Sequence, residues 1–391
     1  NTSGVRGEVG KAISNGLLES PAIIRSHGGR ARAIEEGSLK IDVAFLGAPA
    51  CDRLGNMTGV IGNTACGALG YAMVDARYAR HVIAITDNLV DYPLSPKISV
   101  PQYLVDQVVL VDSIGDPAKI ATGATRITRD PLQLYIAELA FKVIKASGYL
   151  KNDCSFQTGG GGPSLAVARY VRDYMKANSI KGSYCIGGIT GYMADMLKEG
   201  LFKTLFDVQS FDAAVTDSIL HNPNHMEVDA SWYANPFNKG CLVNDLDVVV
   251  LAALDVDIDF NVDVLTGHDG ILRGASGGHS DTAAGAKLSL ITIPSMRNGV
   301  PSIKERVQTV VTPGETVDVI VTERGIAVNP KREDLIARLK DSGLPIKDIL
   351  KLKEDIETIT GIPDEVPFED EIVGIVEYRD GTIIDSIRKI K

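Results

Sequence analysis

Residues 158–171 read TGGGGPSLAVARYV, and at this stretch the alternation of strand-like and helical segments restarts in the second half of the chain. Glycines allow main-chain amides to converge on one point, and Pro163 suits the first turn of the helix predicted from Ser164 to Asn178. The run lacks the Gly-Lys-Ser/Thr ending of a P-loop and does not fill G-x-G-x-x-G, which argues against ATP and NAD. The stretch predicts a backbone site for an anion or an oxyanion, or else a tight connection without a ligand.

Strand-like and helical segments alternate on both sides of this loop. The β-rich runs before it are IDVAFLGAP (41–49), HVIAITDN (81–88) and QVVLVDSIG (107–115), and those after it are SYCIGG (183–188), KLSLITIP (287–294) and TVDVIVTE (316–323). Helical patterns lie between them, for example at 7–20, 131–147 and 192–200. This rhythm predicts an α/β protein with mostly parallel sheets and flanking helices.

Two further signals organise the chain. The segment at 148–162 is rich in Gly, Asn and Asp and predicts a domain boundary near Gly148, which divides the chain into residues 1–148 and 149–391. The dipeptide Asp380-Gly381 lies between two alternating runs and predicts a C-terminal β-hairpin.

Composition excludes several classes of partner. A length of 391 residues suggests two domains, and 45% hydrophobic with 23% charged residues is typical of a globular chain. The formal charge of −10, without a block of Lys and Arg, argues against nucleic acid as a partner. Five widely spaced cysteines predict buried thiols in a reducing compartment, with neither a disulfide nor a zinc site.

The sequence also predicts a cytoplasmic protein. No apolar run approaches the roughly 18 to 20 residues that cross a bilayer, and the N-terminus lacks the charged-then-apolar pattern of a secretory signal. The chain starts without Met in what reads as the middle of a domain, so we expect the first domain to lack its N-terminal part.

A second glycine cluster, GASGGHSDTAAGAK at 274–287, follows an acidic segment. Polar residues at every second position from Asp255 to Asp263 predict one face of a strand. An EF-hand loop starting at Asp255 requires Gly and Glu where Phe260 and Thr266 stand. A hydrogen-bonded or solvated strand face is therefore favoured over a metal site.

Histidine and cysteine spacings show no motif of a metal site or a nucleophile. Pro223 separates His221 from His225, so we expect both histidines in a loop. Cys51 and Cys66 are expected to be buried structural thiols.

The segment RSHGGRAR at 25–32 is more suggestive. It places His27, Arg30 and Arg32 beside two glycines. This composition suits recognition of a carboxylate, and an ordinary solvated turn is an equally good interpretation.

Seven runs spread over nearly the whole chain resemble a known family. They closely resemble the alpha subunit of citrate lyase: SHGGRARAIEEG (26–37), IDVAFLGAPACDRLGN (41–56), ALGYAMVDARYA (68–79), GGGGPSLAVARYV (159–171), CIGGITGYMADMLKEGLF (185–202), DFNVDVLTGHDGILRGASGGHSD (259–281) and VEYRDGTIIDSIRKI (376–390). The runs GGGGP, GGHSD and VTERGIAVNP look more distantly like CoA transferases. The resemblance implies two CoA-transferase-like domains, the first incomplete at its start, with the active site between them.

The resemblance also implies an activity and partners. In the family, citrate replaces the acetyl group on an acyl carrier protein, giving citryl carrier protein and acetate. The gamma subunit carries the acyl thioester on a CoA-like prosthetic arm, for which CoA or acetyl-CoA is a surrogate, and the beta subunit cleaves the citryl thioester. We therefore expect an oligomeric complex, with no cofactor bound permanently by this chain.

The resemblance implies that two glycine loops hold the thioester. Gly277 and Gly278 are the implied catalytic amides, and Gly160, Gly161 and Gly162 are implied to contact the acyl carbonyl or the pantetheine end. Residue type and neighbourhood add further candidates for substrate binding, namely His27, Arg30, Asn56, Ser276 and His279. A citrate carboxylate is already charged at neutral pH, so no general base is expected.

One departure from related enzymes affects the expected mechanism. Covalent CoA transferases use a glutamate in the segment that corresponds roughly to 186–202, where the first glutamate of this chain is Glu199, interpreted as a surface residue. Direct exchange is therefore favoured over an acyl-enzyme route. A covalent CoA transferase or acyl-CoA hydrolase, and a non-catalytic metabolite-binding subunit, remain as alternatives.

Three cationic residues follow the first glycine loop at helical spacing, namely Arg169, Arg172 and Lys176. They suit either contact with the prosthetic arm and its acidic carrier protein or an ordinary solvated helix face.

Overall fold

The computed structural model describes residues 1–119, 127–159 and 162–391. Helices span Gly7–Ser14 (α1), His27–Glu35 (α2), Gly70–Tyr78 (α3), Pro131–Ser147 (α4), Gly162–Ala177 (α5), Gly191–Lys198 (α6), Ala213–His221 (α7), Ala230–Ala234 (α8), His279–Gly285 (α9), Glu333–Leu339 (α10) and Ile349–Thr360 (α11). Strands of the first half span Ala22–Arg25 (β1), Val43–Gly47 (β2), Ala50–Asp52 (β3), Met57–Thr58 (β4), His81–Thr86 (β5), Leu89–Val90 (β6) and Gln107–Leu110 (β7).

Strands of the second half complete the set. They span Phe156–Thr158 (β8), Gly182–Ile189 (β9), Phe202–Ser210 (β10), His225–Glu227 (β11), Val248–Ala252 (β12), Asp255–Asp257 (β13), Val262–Asp263 (β14), Leu288–Thr292 (β15), Met296–Arg297 (β16), Val300–Pro301 (β17), Ile303–Lys304 (β18), Val319–Thr322 (β19), Gly325–Val328 (β20), Phe368–Glu377 (β21) and Ile383–Ile390 (β22).

The main sheet runs in the order β11-β10-β9-β8-β12-β15-β19-β20, and its pairs are parallel except for β19 with β20. Its central strands, such as VVVLA in β12 and VIVT in β19, are nearly continuous apolar runs because both faces of the sheet are covered. One hydrophobic core holds α4, α5 and α6, and a second holds α8 and α11 together with α2 and α3 from the first half. Both halves of the chain thus pack on this sheet.

The first half contributes a smaller parallel sheet in the order β2-β5-β7. Its strands coincide with the β-rich runs at 41–49, 81–88 and 107–115, so the predicted α/β class with mostly parallel sheets is confirmed. The C-terminal hairpin is confirmed as β21 and β22, and β1 adds to it as a parallel third strand.

The boundary near Gly148 stays a prediction, but α4, which ends just before it, packs with the second half. Helix α4 contacts α5 and α10 and buries Ile136 and Val143 in the core of the main sheet. Packing therefore groups this helix with the segment that follows it.

Two local predictions are wrong. The segment from Asp255 to Asp263 is not one strand face but a hairpin of β13 and β14, turned at Phe260 with a positive φ of 66°. Its carboxylates are used inside the fold, since Asp257 accepts a hydrogen bond from the Asn261 amide at 2.9 Å and Asp263 accepts one from Leu265 at 2.7 Å.

The second wrong prediction is that His221 and His225 lie in a loop. His221 is the last residue of α7, and His225 begins β11 and is fully buried.

All five cysteines are free thiols, and burial raises the pKa of Cys51 and Cys66 to about 11. Within 1–119, 127–159 and 162–391, no helix is long and apolar enough to cross a membrane.

Candidate active site

A cavity of about 590 Å³ opens at the carboxyl ends of β8, β9 and β12. Ligands of open parallel sheets bind at this edge, because the loops that follow the strands meet there. The polar part of its wall consists of Arg6, His27, Tyr71, Gln157, Thr158, Gln209, Tyr233, Arg273, Ser276, His279 and Arg297, together with glycines 159, 188, 274, 277 and 278.

The second glycine cluster forms a turn at the edge of this cavity. Gly277 has a φ of +53°, which favours glycine, and Gly278 lies so close to Tyr233 that a Cβ would approach its hydroxyl to 2.5 Å. Ser276 donates its amide to Ser3 O at 2.7 Å and Gly277 donates to the same oxygen at 3.4 Å. The Gly278 amide has no main-chain acceptor in the described ranges, so it is the better donor for a substrate oxygen.

The first glycine loop is seen only in part. Thr158 and Gly159 line the cavity, and the Gly159 amide donates to Val250 O at 2.8 Å. Gly162 starts α5 with a φ of +56° and does not belong to the cavity wall. Gly160 and Gly161 lie outside the described residues, so their expected contact with the thioester stays a prediction.

His27 lies on the wall and is held from two sides. Its amide donates to Gly277 O at 2.8 Å, and its Nδ1 is 2.6 Å from the Tyr71 hydroxyl. Its Nε2 has no hydrogen-bond partner in the part of the chain that the structure describes. Burial, with the Arg30 guanidinium as a second cause, lowers the pKa of His27 to about 4, so the ring is neutral at pH 7.

His279 has both ring nitrogens occupied. Nε2 is 3.0 Å from Ala252 O and must donate, because a carbonyl oxygen only accepts, and Nδ1 then accepts from the Thr312 hydroxyl at 2.7 Å. Burial lowers its pKa to about 4. Although His279 reaches the cavity wall, its polar atoms serve the fold.

The structure does not bring Arg30 and Asn56 to the cavity. Arg30 forms a bidentate ion pair with Asp75 at 2.8 and 3.2 Å. Asn56 is buried and bonds Asp52 and Gln102 through Nδ2 at 2.7 and 2.9 Å. Each polar group is satisfied inside the fold, which is the physical reason that neither faces the candidate site.

Cations at the cavity mouth come instead from three distant segments. Arg6 makes no ion pair or hydrogen bond among the described residues, Arg297 donates to the carbonyls of Ala253 and Leu254 at 2.7 and 3.1 Å, and Arg273 pairs with Asp269. Sequence reasoning missed all three. Only Arg273 gave a signal, because it lies four residues before Gly277 within the run that carries the family resemblance.

The inner wall presents uncharged polar groups. Gln157 donates through Nε2 to the Tyr233 hydroxyl at 3.0 Å. Gln157 Oε1 and Thr158 Oγ1 are buried without a hydrogen-bond partner in the described ranges. Buried polar atoms are normally paired, so these two are ready to receive a substrate group.

No Asp or Glu belongs to the cavity wall within the described chain. Glu199 lies elsewhere as the C-cap residue of α6, where hydrogen bonds from Arg172 and Lys176 lower its pKa to about 2. Arg172 and Lys176 are therefore both paired with the single carboxylate of Glu199, and Arg169 is exposed without a partner among the described residues. Whether these three residues meet the arm or the carrier protein stays a prediction.

Comparisons with known proteins identify the family of the chain. The family model "Citrate lyase, alpha subunit (CitF)" matches residues 1–390. The citrate lyase alpha chain of Klebsiella pneumoniae is 52% identical over all of this chain and 77% of its own length, and that of Haemophilus influenzae is 50% identical over all of this chain and 78% of its own.

Solved structures give the same result. A citrate lyase alpha subunit from Streptococcus mutans, in complex with citrate, is 53% identical with a TM-score of 0.97 and covers all of this chain and 77% of its own. The malonate decarboxylase alpha subunit of Acinetobacter baumannii is 16% identical with a TM-score of 0.62, covers 91% of this chain and 75% of its own, and shares the fold. The chain belongs to the citrate lyase alpha subunit family.

Proposed function

We propose that this chain exchanges the acetyl group of a thioester for citrate, and that it does so in the cavity at the carboxyl ends of β8, β9 and β12. One observation carries the proposal. The described wall offers hydrogen-bond donors and arginines, but no carboxylate that could serve as a nucleophile or a base. Such a wall suits a reaction whose nucleophile arrives already charged.

The proposed reaction has two displacements. A citrate carboxylate oxygen attacks the acetyl carbonyl carbon, the carbon–sulfur bond breaks, and the thiolate leaves with the electron pair. The thiolate then attacks the citryl carbonyl of the mixed anhydride, and acetate departs with the oxygen that citrate supplied. No proton is transferred in either displacement.

The wall supplies what this reaction needs. We assign the Gly278 amide, which has no main-chain acceptor among the described residues, to the carbonyl oxygen, where a donor of this kind is worth about 2.7 to 4 kcal/mol in enzymes where it has been measured. Arg6 and Arg297 lie at the mouth and suit the remaining carboxylates of citrate.

Substrate and partners follow from the family. The thioester substrate is the acylated CoA-like arm of the gamma subunit, with acetyl-CoA as its surrogate, and the beta subunit consumes the citryl thioester. The relative from Streptococcus mutans is in complex with citrate, which supports citrate as the acceptor here. Five free thiols suit an assembly that works in the reducing cytoplasm.

The test uses the full chain with acetyl-CoA and carbon-14 citrate. We expect citryl-CoA and acetate in equal amounts. A parallel sample receives acetyl-CoA alone, followed by hydroxylamine and peptide mapping, and we expect no modified carboxylate. A peptide in which a carboxylate has become a hydroxamate would establish the covalent alternative, and the absence of product from both samples would favour a non-catalytic binding subunit.

A further inference from the structure

We propose that His27 acts on the substrate as a neutral hydrogen-bond donor through Nε2–H, and that Tyr71 is the positioning residue that fixes this tautomer. The inference rests on the proposed exchange reaction and specifies how its negative oxygen is stabilised.

The position of the His27 ring is set by three elements. The N-terminus of α2 is tied to α9, because Asp281 accepts from the Ser26 hydroxyl at 2.8 Å and from the Gly28 amide at 2.9 Å. The His27 amide bonds Gly277 O in the turn between β14 and α9. The Tyr71 ring lies against the imidazole with centroids 4.5 Å apart. The ring is therefore positioned before a substrate binds.

Tyr71 is itself held from the main sheet. It is the second residue of α3, and the two amides before this helix donate to residues of the β10 and β11 strands. Ala68 N donates to Ser210 Oγ at 3.0 Å, and Leu69 N donates to Glu227 Oε1 at 3.1 Å. A substitution at Tyr71 thus changes the contact with His27 while this anchorage stays in place.

Counting protons assigns the tautomer. The Tyr71 hydroxyl and His27 Nδ1 are 2.6 Å apart, so one proton lies between them. If Nδ1 carried it, the phenol would have to direct its own proton to another acceptor, and the structure gives Tyr71 no other partner within the described ranges. Because Nδ1 is the acceptor that the described residues offer the phenol, we assign the phenol as the donor to Nδ1 and the single ring proton to Nε2.

The free nitrogen lies beside the glycine turn that lines the cavity. His27 lines the cavity, and its Nε2 lies 3.9 Å from the place of a Cβ on Gly277. A substrate oxygen bonded to Nε2 thus lies beside the same turn that presents the Gly278 amide. Burial lowers the pKa of His27 to about 4 and raises that of Tyr71 well above its usual value, so neither group ionises at pH 7.

The test reads the tautomer without relying on activity. We would label the full chain with nitrogen-15 histidine, record long-range proton–nitrogen spectra, and assign His27 by the signal missing in His27→Gln. We expect a protonated Nε2 and an unprotonated Nδ1, with the Nε2 resonance shifting when citrate and CoA are added. A protonated Nδ1 both in the free protein and in the protein with citrate and CoA would overturn the proposal.

Tyr71→Phe provides the second reading. We expect the variant to populate both tautomers of His27 and to lose about five- to tenfold in kcat, comparable with the loss of one hydrogen bond. An unchanged tautomer in Tyr71→Phe would show that Tyr71 does not position the ring. If the spectra are as expected but no citryl-CoA forms, the proposed function is wrong and the tautomer assignment is still supported. If citryl-CoA forms but His27 has the opposite tautomer, the proposed function stands and the proposal for His27 is wrong.

Discussion

His27 and His279 flank the same glycine turn, and they differ in one hydrogen bond. Each accepts or shares a bond at Nδ1 with a hydroxyl, from Tyr71 and Thr312 respectively, and burial lowers the pKa of each to about 4. Nε2 of His279 is bonded to Ala252 O, whereas Nε2 of His27 has no partner in the described chain. Burial and a lowered pKa are therefore common to both histidines, and the ring nitrogen without a partner is what distinguishes His27.

The largest expected effect separates the two histidines by activity. His27→Phe removes a donor to the developing negative oxygen and should lower kcat by about 100-fold or more. His27→Gln keeps an N–H near the position of Nε2 and should recover part of the loss. His279→Gln is the matched control and should stay within about tenfold of the parent protein in the acetyl-CoA exchange assay. Equal losses at both positions would erase the distinction.

A pH experiment sharpens the comparison from the side of stability. His279 has a folded-state pKa of about 4 against 6.5 for an ordinary histidine, so only the unfolded chain takes up a proton between these values. The contribution of His279 to the free energy of unfolding is therefore constant above pH 6.5 and becomes destabilising as the pH falls towards 4. Relative to His279→Gln, the parent protein should lose about 3 kcal/mol of unfolding free energy between pH 7 and 4.

The measurement is urea unfolding of both proteins across this range. Comparing the two proteins cancels the opposite effects of groups they share, such as Asp263, whose pKa burial raises to about 7. A difference that does not change with pH would contradict a buried neutral His279.

At neutral pH the roles of the two histidines should be reversed. His279→Phe leaves Ala252 O and the Thr312 hydroxyl without a partner and should cost about 2 kcal/mol of unfolding free energy. His27→Phe removes one side-chain hydrogen bond, the one to the Tyr71 hydroxyl, and should lower the free energy of unfolding by less than His279→Phe does. Urea midpoints at pH 7 test this order, and a larger loss at His27 would contradict it.

The smallest effects concern the arginines. Arg297→Gln removes a cation from the cavity mouth and should raise the KM for citrate several-fold, with a smaller change in kcat. Arg30→Gln is the control, because Arg30 is paired with Asp75 away from the cavity and should leave that KM unchanged. Initial rates at varied citrate decide between them, and a response at Arg30 alone would restore the interpretation made from the sequence.

Local patterns predicted most of the fold. The apolar runs that became β2, β5 and β15, and the helix from Pro131 to Ser147, are periodic over their own length and need no distant information. The hairpin at Asp255 to Asp263 was missed because a turn at Phe260, a residue that rarely adopts positive φ, is imposed by its surroundings.

The site was predicted less completely, for a physical reason. The family-like glycine turn and His27 do reach the cavity, whereas Arg30 and Asn56 are satisfied by Asp75 and Asp52, partners that residue type alone does not reveal. Tyr71 lies in the run ALGYAMVDARYA, which indicates the family but gives no role for this tyrosine. Its contact with His27 depends on how α3 packs beside α2, which no local pattern encodes.

The most direct test follows one oxygen atom through a single turnover. Excess enzyme is mixed with acetyl-CoA and with citrate labelled with oxygen-18 in its carboxylates. The reaction is stopped after one turnover, when acetate and citryl-CoA have formed in equal amounts, and the mass of the acetate is measured by mass spectrometry. Direct attack by citrate predicts that the acetate carries one oxygen-18 atom. Unlabelled acetate formed together with citryl-CoA would mean that a carboxylate of the enzyme supplied the oxygen, and the account would be contradicted.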